Sequence, residues 1–150
     1  MRSAAQEIVD EVVTLLTVPA LDSVPAARVY RDIVDARRAT HMPCVVVEAG
    51  DEETPDRILI GILGRRLQVE VTVLAKGVAP YAQADAALVE SHNRILGAQS
   101  VEGLWLNGLA EDIQEGPTRR LRDGMSEDVA AVTKTYLISY RTAERSIERL

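Results

Sequence analysis

Phenylalanine is absent from this 150-residue chain, aromatic residues make up only 3% of it, and it holds one cysteine and two histidines. Each shortage excludes something. A lone Cys44 can form no internal disulfide, and nothing argues for an oxidising compartment. So few aromatics leave no platform for stacking bases. A formal charge of −6 and a pI near 5.0 argue against general nucleic-acid binding, which draws on neutralised phosphates. No apolar run reaches the roughly 18 residues a membrane span needs. The Ile8–Val18 stretch is broken by Asp10, Glu11 and Thr14, so no secretory leader is expected. The core must then be built from Val, Leu, Ile and Ala, in a chain long enough to form one domain over residues 1–150.

What is present is strong alternation. Leu67, Val69, Val71, Val73 and Ala75 interleave with Gln68, Glu70, Thr72, Leu74 and Lys76. Near the end of the chain Val132, Tyr136, Ile138 and Tyr140 share one parity, and Thr133, Thr135, Ser139 and Arg141 the other. A period of two marks strands with one buried face and one wetter face. Ser3 and Gln6 have capping-box spacing before Ala5, Ile8, Val12 and Leu15/Leu16, which predicts a helix over 3–17 that stops near Pro19. Pro80 and Gly97 bracket a second helix whose face carries Ala84, Leu88, Ser91/His92 and Ile95.

The remaining segments read as a connection over 19–25, a short strand over 28–34, a polar loop over 35–42 and an apolar strand over 44–48. An acidic loop over 50–56 follows. Residues 57–63 and 65–76 form either one strand bent at Gly61 and Gly64 or two strands with a turn at Gly64. A strand over 104–114, a polar excursion over 116–128, a final strand over 129–142 and a charged tail over 143–150 complete the chain. This order predicts an α+β fold, a mainly antiparallel four- to five-stranded sheet with two helices packed on one face.

Catalytic and metal chemistry find little to build on. His41-x-x-Cys44 is half a zinc site at most, because a closed site needs four ligands. Cys44 opens an apolar strand and reads as a small core residue, not as a nucleophile, which would need a partnered histidine. Gly61-Ile62-Leu63-Gly64 is too apolar and too short to cradle phosphate. Trp105, between Leu104 and Leu106, reads as core or as part of a subunit interface. No enzyme activity, cofactor or metal is expected.

Two charged clusters stand out. Asp51, Glu52 and Glu53 read as a solvated loop or a partner contact. Arg119, Arg120 and Arg122 place three guanidiniums within four residues of an otherwise acidic chain. They suit bidentate recognition of carboxylates, with a solvated turn as the plainer reading.

The order of segments resembles the tail terminator (tail completion) proteins of long-tailed phages, the minor tail protein U type. The resemblance covers about residues 3–142. It rests on the N-terminal amphipathic helix, Met42-Pro43-Cys44-Val45-Val46-Val47-Glu48, the acidic Gly50-Asp51-Glu52-Glu53, the alternating Leu67–Leu74 strand, the helix after Pro80, the Arg/Asp-rich excursion and the closing Tyr136-Leu137-Ile138-Ser139-Tyr140-Arg141-Thr142. The family is often more aromatic than this chain.

The resemblance implies a virion protein made in the host cytoplasm. Its copies, usually six, form a ring at the head-proximal end of the tail that stops polymerisation of tube protein and offers a docking face to the head connector. DNA would pass only in transit, through a bore that acidic subunits would keep from sticking to phosphates. Asp51, Glu52 and Glu53 on one side and Arg119, Arg120 and Arg122 on the other would be the subunit or partner contacts. The competing readings are a head–tail connector or neck protein, and a small ferredoxin-like regulatory module with the Gly61–Gly64 bend lining its pocket.

Overall fold

A computed structural model describes residues 2–31, 42–122 and 129–150, except for the side chains of Leu121 and Arg122. Helix α1 spans Ala4–Thr17. The Ser3 hydroxyl accepts from the Gln6 amide at 3.2 Å, which satisfies one of the open donors of the first turn. Helix α2 spans Pro80–Leu96, with Pro80 in its first turn and Gly97 at its end. The strands are β1 (Val29–Tyr30), β2 (Cys44–Glu52), β3 (Asp56–Leu59), β4 (Ile62–Lys76), β5 (Asp112–Arg122) and β6 (Val129–Ala143).

The sheet order is β1-β2-β4-β6-β5, and β3 continues the line of β2 alongside β4. All pairs are antiparallel except β1 with β2. The fold is thus α+β as expected, with six strands and a mixed sheet in place of four or five. The short strand expected over 28–34 is seen as the two-residue β1, and residues 57–76 form two strands, β3 and β4.

Both helices lie on one face. Ile8, Val9, Val12 and Leu16 of α1 and Ala84, Ala87, Leu88 and Ile95 of α2 meet Val45, Val47, Leu67, Val69, Val71, Val73, Val132, Tyr136 and Ile138 of the sheet in one buried cluster. The alternation in β4 and β6 therefore does what its period dictates: the apolar parity turns to the helices. On the reverse face a smaller cluster joins Cys44, Val46, Leu74 and Val129.

Two side chains lock the helices together. Arg94 of α2 donates to the carbonyls of Leu15, Pro19 and Ala20, which closes the C-terminal end of α1. Glu90 accepts from the Ser23 hydroxyl at 2.6 Å and from the amides of Asp22 and Ser23, which pins the 19–25 connection.

Several boundaries differ from the sequence reading. The turn after β3 falls at 60–61, where Gly61 has φ +80, and Gly64 lies inside β4. Only a residue free of Cβ strain closes that turn cheaply. The 104–114 strand begins only at Asp112; before it, turns and a single Trp105–Ala110 bridge carry the chain. The segment read as an excursion from Gly116 is mostly β5, a ladder partner of β6 as far as Arg122. Residues 32–41 and 123–128, which hold most of the 35–42 loop and the rest of that excursion, lie outside the described residues.

Candidate functional site

The acidic segment is not a free loop. Gly50, Asp51 and Glu52 belong to β2, and one extra residue sits between the pairs Ala49–Val69 and Glu52–Leu67. A bulge of this kind turns the next side chain to the other face. Glu52 therefore points to the helix-covered side, where the Tyr140 hydroxyl donates to it and Arg65 lies 3.9 Å away. Arg65 also donates to the Thr142 hydroxyl at 2.7 Å and to the Ser146 carbonyl at 3.1 Å.

Burial, helped by the Glu52 hydrogen bond and charge, pushes the Tyr140 hydroxyl well above its ordinary range. Glu52 is thus a structural carboxylate that ties β2, β4 and β6 together, a correction to its reading as a loop contact. Glu53 is exposed and lies 3.7 Å from Arg66. Asp51 is exposed, and neither it nor Asp56 has an ion-pair partner among the described residues.

The basic cluster is likewise a strand and not a loop. Arg119 pairs with Thr133 and Arg120 with Val132 across the β5–β6 ladder, so they project to opposite faces. Arg120 reaches Asp85 of α2 at 3.3 Å on the helix side. Arg119 lies 3.9 Å from Glu70 on the reverse side. Both pairs are at least one-third exposed on each partner, so each is worth only about 0–1 kcal/mol. Arg122 ends β5.

The register keeps the two clusters apart. Glu53 bonds the Arg66 carbonyl, whereas the partner of Arg119 sits beside Thr72. That is roughly 20 Å along β4 and roughly 14 Å across three strand spacings. They sit at opposite corners of the sheet and cannot pair within one chain.

Gly116 and Pro117 make a second bulge, between Glu115–Tyr136 and Thr118–Lys134. A Cβ on Gly116 would stand 3.0 Å from the Thr135 carbonyl oxygen, so any larger residue would push β5 and β6 apart by a few tenths of an ångström there. The bulge turns both Glu115 and Thr118 toward α2. There they line a cavity of about 190 Å³ with Leu88, Val89, His92, Arg120 and Lys134. His92 stacks on Tyr136, with Nδ1 2.8 Å from its hydroxyl. Lys134 bonds Glu115 at 3.0 Å and, by hydrogen bond and charge, holds its carboxyl below the usual range.

Cys44 is fully buried, and desolvation pushes its thiol up to about 11, which suits a core residue and not a nucleophile. His41 lies outside the described residues. Among the described residues no three of His, Cys, Asp and Glu gather to hold a metal ion, and no helix is long and apolar enough to cross a membrane. The partly buried Trp105 packs on the core.

Sequence reasoning missed the tip of the β3–β4 hairpin. Ile58, Leu59 and Ile60 are all exposed, Ile60 at 97%. The signal was there as three consecutive apolar residues beside a turn glycine.

No protein-family model matches the chain, and no curated protein matches it. Solved structures do. One, a chain of the virion of a native gene transfer agent particle, superposes with a TM-score of 0.55 over 93% of this chain and 92% of that one, at 16% identity. The fold described above is shared, over nearly its whole length, with a chain of that virion.

Proposed function

We propose that this chain is a structural, non-catalytic virion protein that forms a ring, usually of six copies, at the head-proximal end of a phage-type tail, where it ends the tube and receives the head connector. The observation that supports the reading is the fold shared, over nearly its whole length, with a chain of a gene transfer agent virion. It agrees with the order of segments that resembles the tail terminators.

The charge layout supports a head-to-tail contact. Such a contact needs two different patches on each subunit, and a ring results when the rotation closes. Asp51 and Glu53 at one corner of the sheet and Arg119 and Arg120 at the other provide them. Pairing of this sort sets register and rejects wrong neighbours more than it adds affinity.

The test is electron microscopy of the chain co-expressed with the tail-tube protein of its particle. Tubes of limited length with a ring at one end are expected. Tubes that grow without limit and carry no cap, in the presence of folded chain, would overturn the reading.

A further inference from the structure

We infer that the β3–β4 hairpin of one copy docks, through Ile60 and its apolar neighbours, into the cavity between α2 and β5 of the next copy. The inference rests on the ring reading and names the apolar part of the contact that the charged corners only orient.

Ile58 lies over Gly64 of β4, but Ile60 at the tip has no packing reason to be apolar in a solitary chain. All four residues of β3 are exposed, and Ile58, Leu59 and Ile60 form a continuous run, the last at 97% exposure. Three adjacent exposed aliphatics, rimmed here by Asp56 and Arg57, mark a binding surface far more often than an accident of composition. The turn of the hairpin is held, not loose. Glu144 donates its amide to the Gly61 carbonyl at 2.8 Å, and its carboxylate bonds Arg57 at 2.6 Å. A tip held rigidly loses little freedom on docking.

The matching cavity lies on the opposite edge of the sheet. Leu88 is buried at its base, Val89 at 59% exposure forms an apolar wall, and the exposed Arg120 and Glu115 stand at its rim. At about 190 Å³ it admits a branched aliphatic side chain. Lys134 is committed to Glu115 and the Gly116 carbonyl, so the charge match rests on Arg120. Asp56 and Asp51 beside the hairpin have no basic partner among the described residues, and Arg120 holds Asp85 only in an exposed pair that exchanges easily.

The two surfaces cannot meet within one subunit. The tip pairs at Ile62 of β4, whereas Lys134 in the cavity sits beside Val71, on the order of 30 Å further along the strand. The occupant is therefore a second copy, and the contact runs from one edge to the other, as a ring requires.

Full-length Ile60→Cys and Val89→Cys chains test this, since Cys44 is buried and does not compete. Mixed and mildly oxidised, they are expected to form a disulfide-linked heterodimer, and the doubly substituted chain a ladder of covalent multimers. Rings or capped tubes without an Ile60–Val89 link would overturn the docking while leaving the ring reading intact. Preferential linking of Ile60→Cys to itself would also overturn it, because that contact is symmetric. A solitary chain with neither link nor ring would end both readings. Independently, Ile60→Asp is expected to leave the monomer's melting unchanged and to raise the protein concentration needed for assembly at least tenfold, about what losing a central interface anchor costs. Unchanged assembly would refute the docking.

Discussion

Strands β4 and β5 both lie against β6, yet they hold their places by different forces. β4 is paired with β6 over all 15 of its residues and with β2 and β3 over most of its other side, and every second side chain from Leu67 to Ala75 is buried against the helices. β5 is an edge strand of 11 residues, and among its described side chains only Ile113 is buried. The first is held by apolar burial, at about 25 cal/mol per Å² removed from water. The second is held mainly by backbone hydrogen bonds to β6. Its open edge is guarded by devices that discourage uncontrolled strand addition: a bulge, Pro117 and charged side chains. A strand of the first kind sets stability. One of the second kind is free to serve a partner.

The contrast is broken most severely by Val71→Asp. That side chain is fully buried among the helices, and an unpaired carboxylate there is expected to cost about 3–5 kcal/mol and to leave the protein unfolded or aggregated. Circular dichroism and solubility would show it, and a soluble, cooperatively melting variant would mean that the inner face has been misplaced.

A smaller loss is expected where β4 meets the Glu52 network. Arg65→Ala strands the buried Thr142 hydroxyl and removes the cation beside Glu52, at about 1–3 kcal/mol. Hydrogen exchange should rise in residues 144–150, because Arg65 also holds the Ser146 carbonyl and Ala4 holds that of Ile147. Unchanged exchange there would show the tail to be held by other contacts.

Two buried tyrosines, one in this network and one beside His92, set an alkaline limit. Tyr136 and Tyr140 are raised above their ordinary value of 10.0, chiefly by burial and then by Glu115 and Glu52 respectively. The unfolded chain therefore gives up these protons first. The stability tied to them is whole below pH 10.0 and drains away as pH climbs toward the folded values. Denaturant melts across that range should move down with pH, and Tyr140→Phe should lessen the slope. A slope untouched by that change would remove Tyr140 from the account.

The least effect on folding is expected from Arg119→Glu combined with Arg120→Glu. Their pairs are exposed, so the melting temperature should correspond to a loss of no more than about 2 kcal/mol for the two together. Assembly of rings or capped tubes should nevertheless fail. Normal assembly by this double variant would reduce the β5 arginines to a solvated edge.

Legibility followed the same division. The helices over 3–17 and 80–96 and the alternating strands were readable because burial on one side imposes a period on the residues themselves. Cys44 was readable as core from its apolar neighbours. β5 was not, because an edge strand with one buried side chain carries no period and Gly116-Pro117 mimics a loop start. The role of Glu52 was hidden for a related reason. An alternation argument places Asp51 and Glu52 by counting, and the bulge after Ala49 breaks the count.

What the residues alone determined is the material and the layering: an aliphatic core, two amphipathic helices and strands with one wet face. These are local consequences of side-chain chemistry repeated at 3.6 or at 2 residues. What only the tertiary structure decided is which charges meet and which stay apart. Pairing register brings Glu52 to Tyr140 and Arg65, sends Arg119 and Arg120 to opposite faces, and leaves Ile60 in water. Register joins positions dozens of residues apart through hydrogen bonds that any side chain permits, so no local pattern encodes it.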